Sequence, residues 1–305
     1  MYLSLACSGV GCFLTETTTN SQERVTLVTD SSACLPVHEV AANPIVVLPT
    51  VLIWRGKVLR DGVDISSEMF WRRLVTDPVA PSTSTMPPSV YADAFEYAGR
   101  RDSGVVCVVI PRRFSAMADV ARLAASGCDE KFDIRVVETG GSAMAHGFPV
   151  LLGARAANAG ANQDAVEGAV RRASDGSGIV AVLDSLDYLA RSGRVPAVIA
   201  RMADALPSTV VFSMRHGGVR IGATFGSRER AITSLVTRVR RASRNAGYLG
   251  VTVHHAANVS EGHELAERIH RALRPNDLFV TCFTPVMGAH VGPGLIGIAY
   301  CALPS

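Results

Sequence analysis

Three apolar runs of strand length in the first half of the chain each hand over to a polar loop and then to a helix-forming stretch. They are "RVTLVT" (24–29), "GVVCVVI" (104–110) and "FDIRVVET" (132–139). Strand, loop and helix in repeated order build a parallel sheet with helices on both faces, because parallel neighbours need a crossover connection. "GVVCVVI" shows no polar alternation, which suits a strand buried on both sides. In such sheets ligands bind beyond the carboxyl ends of the strands. Three polar loops fall there: 30–32 (Asp30, Ser31 and Ser32), 112–115 and 138–142.

The second half reads differently. "GIVAVLD" (178–184) predicts a strand, and "SLDYLARSG" (185–193) a helix closed by Gly193. "VFSMRHGGVRIGA" (211–223) reads as a hairpin around "HGG". Ile232, Leu235, Val236 and Val239 lie at i, i+3, i+4 and i+7 and predict an amphipathic helix. "YLGVTVHH", "DLFVTCF" and "LIGIAYCAL" predict strands. The expected fold class is therefore two α/β domains: an N-terminal Rossmann-like parallel-sheet domain over 23–160, and a C-terminal mixed-sheet α/β domain over 161–305. Residues 1–22 read as a loose extension. The hairpin and helix of 44–77 are expected to pack on the other domain. "PSTSTMPPS" (81–89) reads as a loop, rich in proline and hydroxyl groups.

With 305 residues, 48% of them hydrophobic and 19% charged, the chain can bury a sizeable core. No apolar run approaches the roughly 20 residues of a membrane span. A net charge of +3 is too small to argue for nucleic acid. Lys57 and Lys131 are the only lysines, and neither follows a phosphate-binding glycine loop, so there is no P-loop. The seven cysteines include no C-x-x-C, so neither zinc nor redox motifs are supported. Free buried thiols suit a cytoplasmic protein.

"GAHVGPGLIGIAY" (288–300) contains a formal G-x-G-x-x-G at Gly292, Gly294 and Gly297. A dinucleotide loop must open a helix, and here a strand follows. The glycines and Pro293 read instead as a tight turn that fixes His290 at a pocket mouth. "HELAERIH" (263–270) fails as a zinc motif, because Glu267 stands where the second histidine belongs. His254 and His255 are adjacent on a strand and point to opposite faces. No metal site is expected. What remains is "STST" (82–85), "RRFSA" (112–116) and His290: small hydroxyls and one imidazole that together could supply neutral donors to a buried anion.

"VTLVTDSSACLP" resembles the opening of the DegV family, which has a strand followed by T-D-S-S-x-x-L-P. The likeness continues in order through "VLRDGVDISSEMFWRRL", "TSTMPPSVYADAFE", "IPRRFSAMADVA", "LDSLDYLARSGRV" and "TPVMGAHVGPGLIGIAY". It covers roughly residues 24–301. Three departures stand out: Ala116 and Met117 replace a family Gly-Thr, Thr85-Met86-Pro87 replaces Q-P-S, and Glu138-Thr139 replaces D-S.

The resemblance implies a carrier, not an enzyme in its own right. It would bind one long-chain fatty acid of the palmitate, stearate or oleate class in a tunnel between the domains. A separate ATP-binding fatty acid kinase subunit would phosphorylate the carboxylate, and no cofactor is expected. Carried over by position, Thr83, Ser115 and His290 are the carboxylate ligands. Asp30, Ser31, Ser32, Ser84 and Gly292 belong to the surrounding loops. Arg194 and Arg228 would face the kinase. Two alternatives compete: a stand-alone acyl hydrolase or transferase using Ser115 or Ser31 with His290, and a carrier of another hydrophobic carboxylic acid.

Overall fold

The computed structural model describes residues 24–100, 104–128, 133–193 and 209–305. The expected extension over 1–22 lies outside them. In chain order the first part runs β1 (Val25–Asp30), a 3-10 turn (Ser31–Ala33), α1 (Val37–Ala42), β2 (Ile45–Leu48), β3 (Val51–Trp54), β4 (Lys57–Arg60), α2 (Ser67–Thr76), β5 (Ser82–Ser84), α3 (Pro88–Gly99), β6 (Gly104–Val109), α4 (Met117–Ser126) and β7 (Asp133–Glu138). The remainder runs α5 (Met144–Asn158), α6 (Gln163–Gly176), β8 (Ser177–Leu183), α7 (Asp187–Ser192), β9 (Thr209–Arg215), β10 (Gly218–Phe225), α8 (Arg228–Ala242), β11 (Ala246–His255), α9 (Val259–Leu273), β12 (Asp277–Cys282), α10 (Pro285–Val291) and β13 (Ile296–Pro304).

The first sheet has the order β2-β1-β6-β7 and is parallel throughout. Its central strands β1 and β6 are buried along their whole length because helices cover both faces. Leu27, Val106 and Val108 pack under α5 and α6 through Val150, Val166 and Val170. Val28, Val105 and Cys107 pack under α3 and α4 through Phe95, Ala118 and Ala121. The predicted parallel sheet is present.

The second sheet, β10-β9-β8-β13-β11-β12, is mixed: only β11 and β12 run parallel. Its outer face is sealed by α8 and α9, with Leu235, Val239, Leu265 and Ile269 over Val182, Val251 and Ile298. The predicted hairpin turns on His216 and Gly217, both at positive φ (49° and 68°), the backbone a two-residue hairpin requires. The inner face forms one large core with α2, α5, α10 and a small third sheet, β4-β3-β5. Residues 51–74 supply Leu52, Trp54, Phe70, Trp71 and Leu74 to that core, against Phe283, Val286 and Ala289.

Two readings are corrected. Residues 82–84 are a strand, not loop: β3 has an open edge, and Ser82, Thr83 and Ser84 pair with Ile53, Leu52 and Val51. His290 lies in the last turn of a seven-residue helix, α10, and the glycine turn begins only at Gly292. Proline at the first helical position starts that helix, and Gly292 at φ 71° ends it. No helix among the described residues is long and apolar enough to cross a membrane.

Candidate functional site

Strand alternation decides where the hydroxyls of 82–85 point. Thr83 pairs with the fully buried Leu52, so it shares that strand's inward face. Ser82 and Ser84 take the outward face and are exposed. Ser84 spends its hydroxyl on the Thr85 carbonyl at 3.3 Å. The inward Thr83 meets His290: Oγ1 and Nε2 are 3.1 Å apart across 207 residues of sequence. Two residues on, Thr85 Oγ1 lies 3.4 Å from Ser115 Oγ. One short segment thus reaches α10 with one threonine and the loop before α4 with the next. Ser115 also accepts from the Met117 N–H at 3.4 Å, which ties it to the start of α4. Thr85, within the "STST" stretch but not among the three residues carried over as carboxylate ligands, is the residue that links Ser115 to the others. The alternation in "STST" was its signal.

His290 also lines a cavity of about 90 Å³ between the two sheets. Ile110, Phe114 and Ser142 wall it from the loops that follow β6 and β7, and Ile179, Phe212, Met214 and Val219 from the inner face of the second sheet. Leu189, Phe283, Met287 and Val291 complete the described lining. No charged side chain is among them, so an anion placed here meets neutral donors and little water. The space is smaller than the roughly 150 Å³ that accommodates a benzene ring. Two wider clefts, each of about 660–670 Å³, open at the amino ends of β1 and β2 and along β12. None of the predicted carboxylate ligands or surrounding-loop residues lines them.

The T-D-S-S loop forms a separate polar cluster. Asp30 is wholly buried, and its carboxylate accepts from the Ser32 N–H at 2.9 Å. Burial pushes its pKa up to about 6, against that hydrogen bond. Ser32 is buried beside it. Ser31 is half-buried and donates to Asp61 Oδ2 at 2.8 Å, with Thr50 Oγ1 2.5 Å away. Burial raises the Asp61 pKa, opposed by bonds from Ser31, Thr284, Val286 N–H and Thr50. Asp61 therefore holds the first turn of α10, since the Val286 N–H reaches its Oδ2 at 3.3 Å. Sequence reasoning missed Asp61 and Thr50. Their partners lie up to 225 residues away, so no local pattern marks them.

The remaining predicted residues divide. Gly292 is sterically required: a Cβ there would sit 2.2 Å from the Tyr188 ring, at a φ that also disfavours other residues. Arg228 is engaged inside the chain, with both Glu261 oxygens at 2.8 Å, the Gly294 carbonyl at 2.8 Å, and Asp184. Arg194 lies outside the described residues. His290 Nε2 faces Thr83, while Ser31 and Ser115 hydrogen-bond to other hydroxyls and to Asp61.

A family model described as "Uncharacterised protein, DegV family" matches residues 24–303. A DegV domain-containing protein of Streptomyces coelicolor is 30% identical over 278 residues, covering 90% of this chain and 97% of its own. One from Clostridium perfringens is 27% identical over 279 residues, covering 90% and 98%. Among solved structures, a fatty-acid-binding DegV family protein from Thermus thermophilus superposes with a TM-score of 0.85 at 21% identity, covering 92% of this chain and all of its own. A stearic acid-binding protein from Eubacterium ventriosum gives 0.83 at 23%, covering 91% and 98%. At these identities the superpositions show a shared fold.

Proposed function

We propose, from the premise that this chain belongs to the DegV family, that it binds one long-chain fatty acid between its two large sheets. The observation that carries the reading is the Thr83–His290 pair beside a cavity whose described walls are apolar and uncharged. The solved relatives described as fatty-acid or stearic acid binders support the ligand class.

In this reading the carboxylate takes hydrogen bonds from the Thr83 and Ser115 hydroxyls and the His290 ring. A carboxylate moved into apolar surroundings needs several such bonds in place of water. The tail supplies affinity at about 0.8 kcal/mol per buried CH₂, offset by the cost of immobilisation. A cavity of about 90 Å³ takes the head group and a few methylenes. A longer tail enters only as the side chains along the inner face of the second sheet, Phe212 and Met214 among them, move apart.

The chain then acts as a carrier. A separate ATP-binding kinase would supply the phosphate and its Mg²⁺. A carboxylate oxygen of the bound acid would attack the γ-phosphorus, forming an acyl phosphate as the bond to ADP breaks. Arg194 is the proposed contact to that partner.

Lipid extraction and native mass spectrometry of the purified chain test the reading. The expected result is one co-purifying fatty acid per chain, displaced by added oleate. A chain that is reproducibly empty and takes up neither palmitate nor oleate removes it.

A further inference from the structure

The site depends on how α10 presents His290, and this helix is only seven residues long. Its first turn is held by Asp61, and the chain just before it by the Trp71 indole, which donates to the Phe283 carbonyl at 3.2 Å. Its middle is held by shape. A Cβ at Gly288 would lie 2.4 Å from Phe70 and 2.8 Å from Trp71, so these rings press directly on the helix backbone. His290 sits past both restraints, in the last turn. That turn meets Thr83 through His290 and the Tyr188 ring at Gly292, and the chain then leaves through Gly292, Pro293 and Gly294.

Arg228, the first residue of α8, reaches this exit. Its Nη2 donates to the Gly294 carbonyl at 2.8 Å. The guanidinium is itself fixed by a two-pronged pair with Glu261, with Nε and Nη2 each 2.8 Å from a carboxylate oxygen, and by Asp184 through Nη1. Asp184 also packs against the turn: a Cβ at Gly294 would fall 2.3 Å from its Oδ2. The planar fork of arginine satisfies all three partners at once, which a lysine ammonium on a flexible stem cannot do.

We infer that Arg228 is a positioning residue for the fatty-acid head group. By holding the Gly294 carbonyl it sets the end of α10 and so the ring of His290. The inference rests on the carboxylate role proposed for His290. It differs from the kinase-docking role that the family resemblance suggests, because it acts before any partner arrives.

The test compares two probes with the same tail, palmitic acid and hexadecan-1-ol, on the full chain. The wild type is expected to favour the acid, with His290→Ala as the reference for a lost head-group contact. Arg228→Gln should weaken the acid by about tenfold and leave the alcohol within about twofold, as loss of one or two hydrogen bonds at the head group would. Arg228→Lys should recover little of the loss. If Arg228→Gln does not fold, Glu261→Gln loosens the same guanidinium and should shift the acid-to-alcohol ratio in the same direction by a smaller factor. Equal weakening of both probes would mean a general structural role and overturns the inference. So does unchanged binding of both, which would leave Arg228 to partner docking. A wild type that does not favour the acid overturns the head-group reading itself, and this inference with it.

Discussion

Two histidines in this chain each share a hydrogen bond with a threonine hydroxyl, yet they stand in opposite surroundings. His146, in α5, is fully buried: Nε2 meets Thr29 Oγ1 at 3.0 Å and Nδ1 meets Thr139 Oγ1 at 2.9 Å. Both ring nitrogens are used, and the contacts tie α5 to the carboxyl ends of β1 and β7. His290 is half-buried, meets Thr83 at 3.1 Å and borders the cavity between the sheets. The chemistry of the pair is the same. What separates the two is the space beside His290, on which its proposed binding role rests. His254 belongs with His146: its Nε2 accepts from the Met144 N–H at 3.2 Å, its Nδ1 lies 2.8 Å from Thr281, and its ring stacks on Phe283.

The largest effect should come from the sealed histidine. His146→Leu leaves Thr29 without its ring partner and Thr139 with only a long 3.4 Å bond to the Val109 carbonyl. Unpaired buried hydroxyls and imperfect packing should together cost about 3 kcal/mol or more of folding stability. Urea unfolding of the variant measures this directly. A loss below about 1 kcal/mol would mean the His146 network is not structural and would break the contrast.

Acid should act on the same sealed residues. Burial lowers the pKa of His146 to about 3, and burial with the neighbouring His255 lowers that of His254 to about 3. Their contribution is complete above the ordinary histidine pKa of 6.5 and is lost as pH falls from there towards 3. Asp30, raised to about 6 by burial, works in the opposite sense: its contribution is complete below 3.8 and is lost as pH rises to about 6. Asp61 shifts in the same direction as Asp30. His255 sides with the other histidines, while the ion-paired carboxylates Asp64, Glu167 and Asp277, held below their ordinary pKa values of 3.8 to 4.5, act only at lower pH still. The balance favours loss of stability between pH 7 and pH 5. The sharper check is the difference between proteins: His146→Leu should show a shallower pH slope than the wild type over that range. Equal slopes would mean His146 titrates normally.

The legibility of the chain follows the same division between local and distant information. The parallel sheet was readable because "RVTLVT", "GVVCVVI" and "FDIRVVET" each hand over to a polar loop and then a helix, the order that parallel crossovers need. The hairpin was readable because "HGG" supplies two residues able to take positive φ. Helix α10 was not readable. Its seven residues are too few for periodicity, and Gly288 exists for the rings of Phe70 and Trp71, more than 200 positions earlier. Strand β5 was hidden by the prolines around it and exists because β3 offers an edge. Thr83, Ser115 and His290 came from resemblance to a family pattern. The sequence could not show that Thr83 and His290 touch, that Thr85 bridges to Ser115, or that Asp61 holds the helix start. His146 lay unremarked in "HGFPVLL", since one histidine looks like another until its neighbours are known.

At the cavity the expected effects are smaller and fall on binding instead of folding. His290→Ala should weaken palmitate by about tenfold or somewhat more, the range of a hydrogen bond to a charged group, while folding stability changes by about 1 kcal/mol or less. Thr83→Val keeps the shape of the side chain and removes the hydroxyl, so a loss of about fivefold is expected. Isothermal titration with palmitate, beside thermal unfolding of the same samples, separates the two effects. Should His290→Ala unfold the chain as His146→Leu does, the two histidines are alike and the contrast fails.

Ser115 offers the finest test. Its contacts to Thr85 and to the Met117 N–H are both 3.4 Å, near the limit of a hydrogen bond. A hydroxyl held this loosely can rotate towards a ligand at little cost, but little is lost when it is removed. Ser115→Ala should therefore weaken palmitate by only about two- to threefold and leave hexadecan-1-ol unaffected. The order of the variants matters more than any single value. If Ser115→Ala costs more affinity than His290→Ala, the carboxylate sits against the start of α4. The Thr83–His290 pair would then be a structural contact of the same kind as His146 with its two threonines.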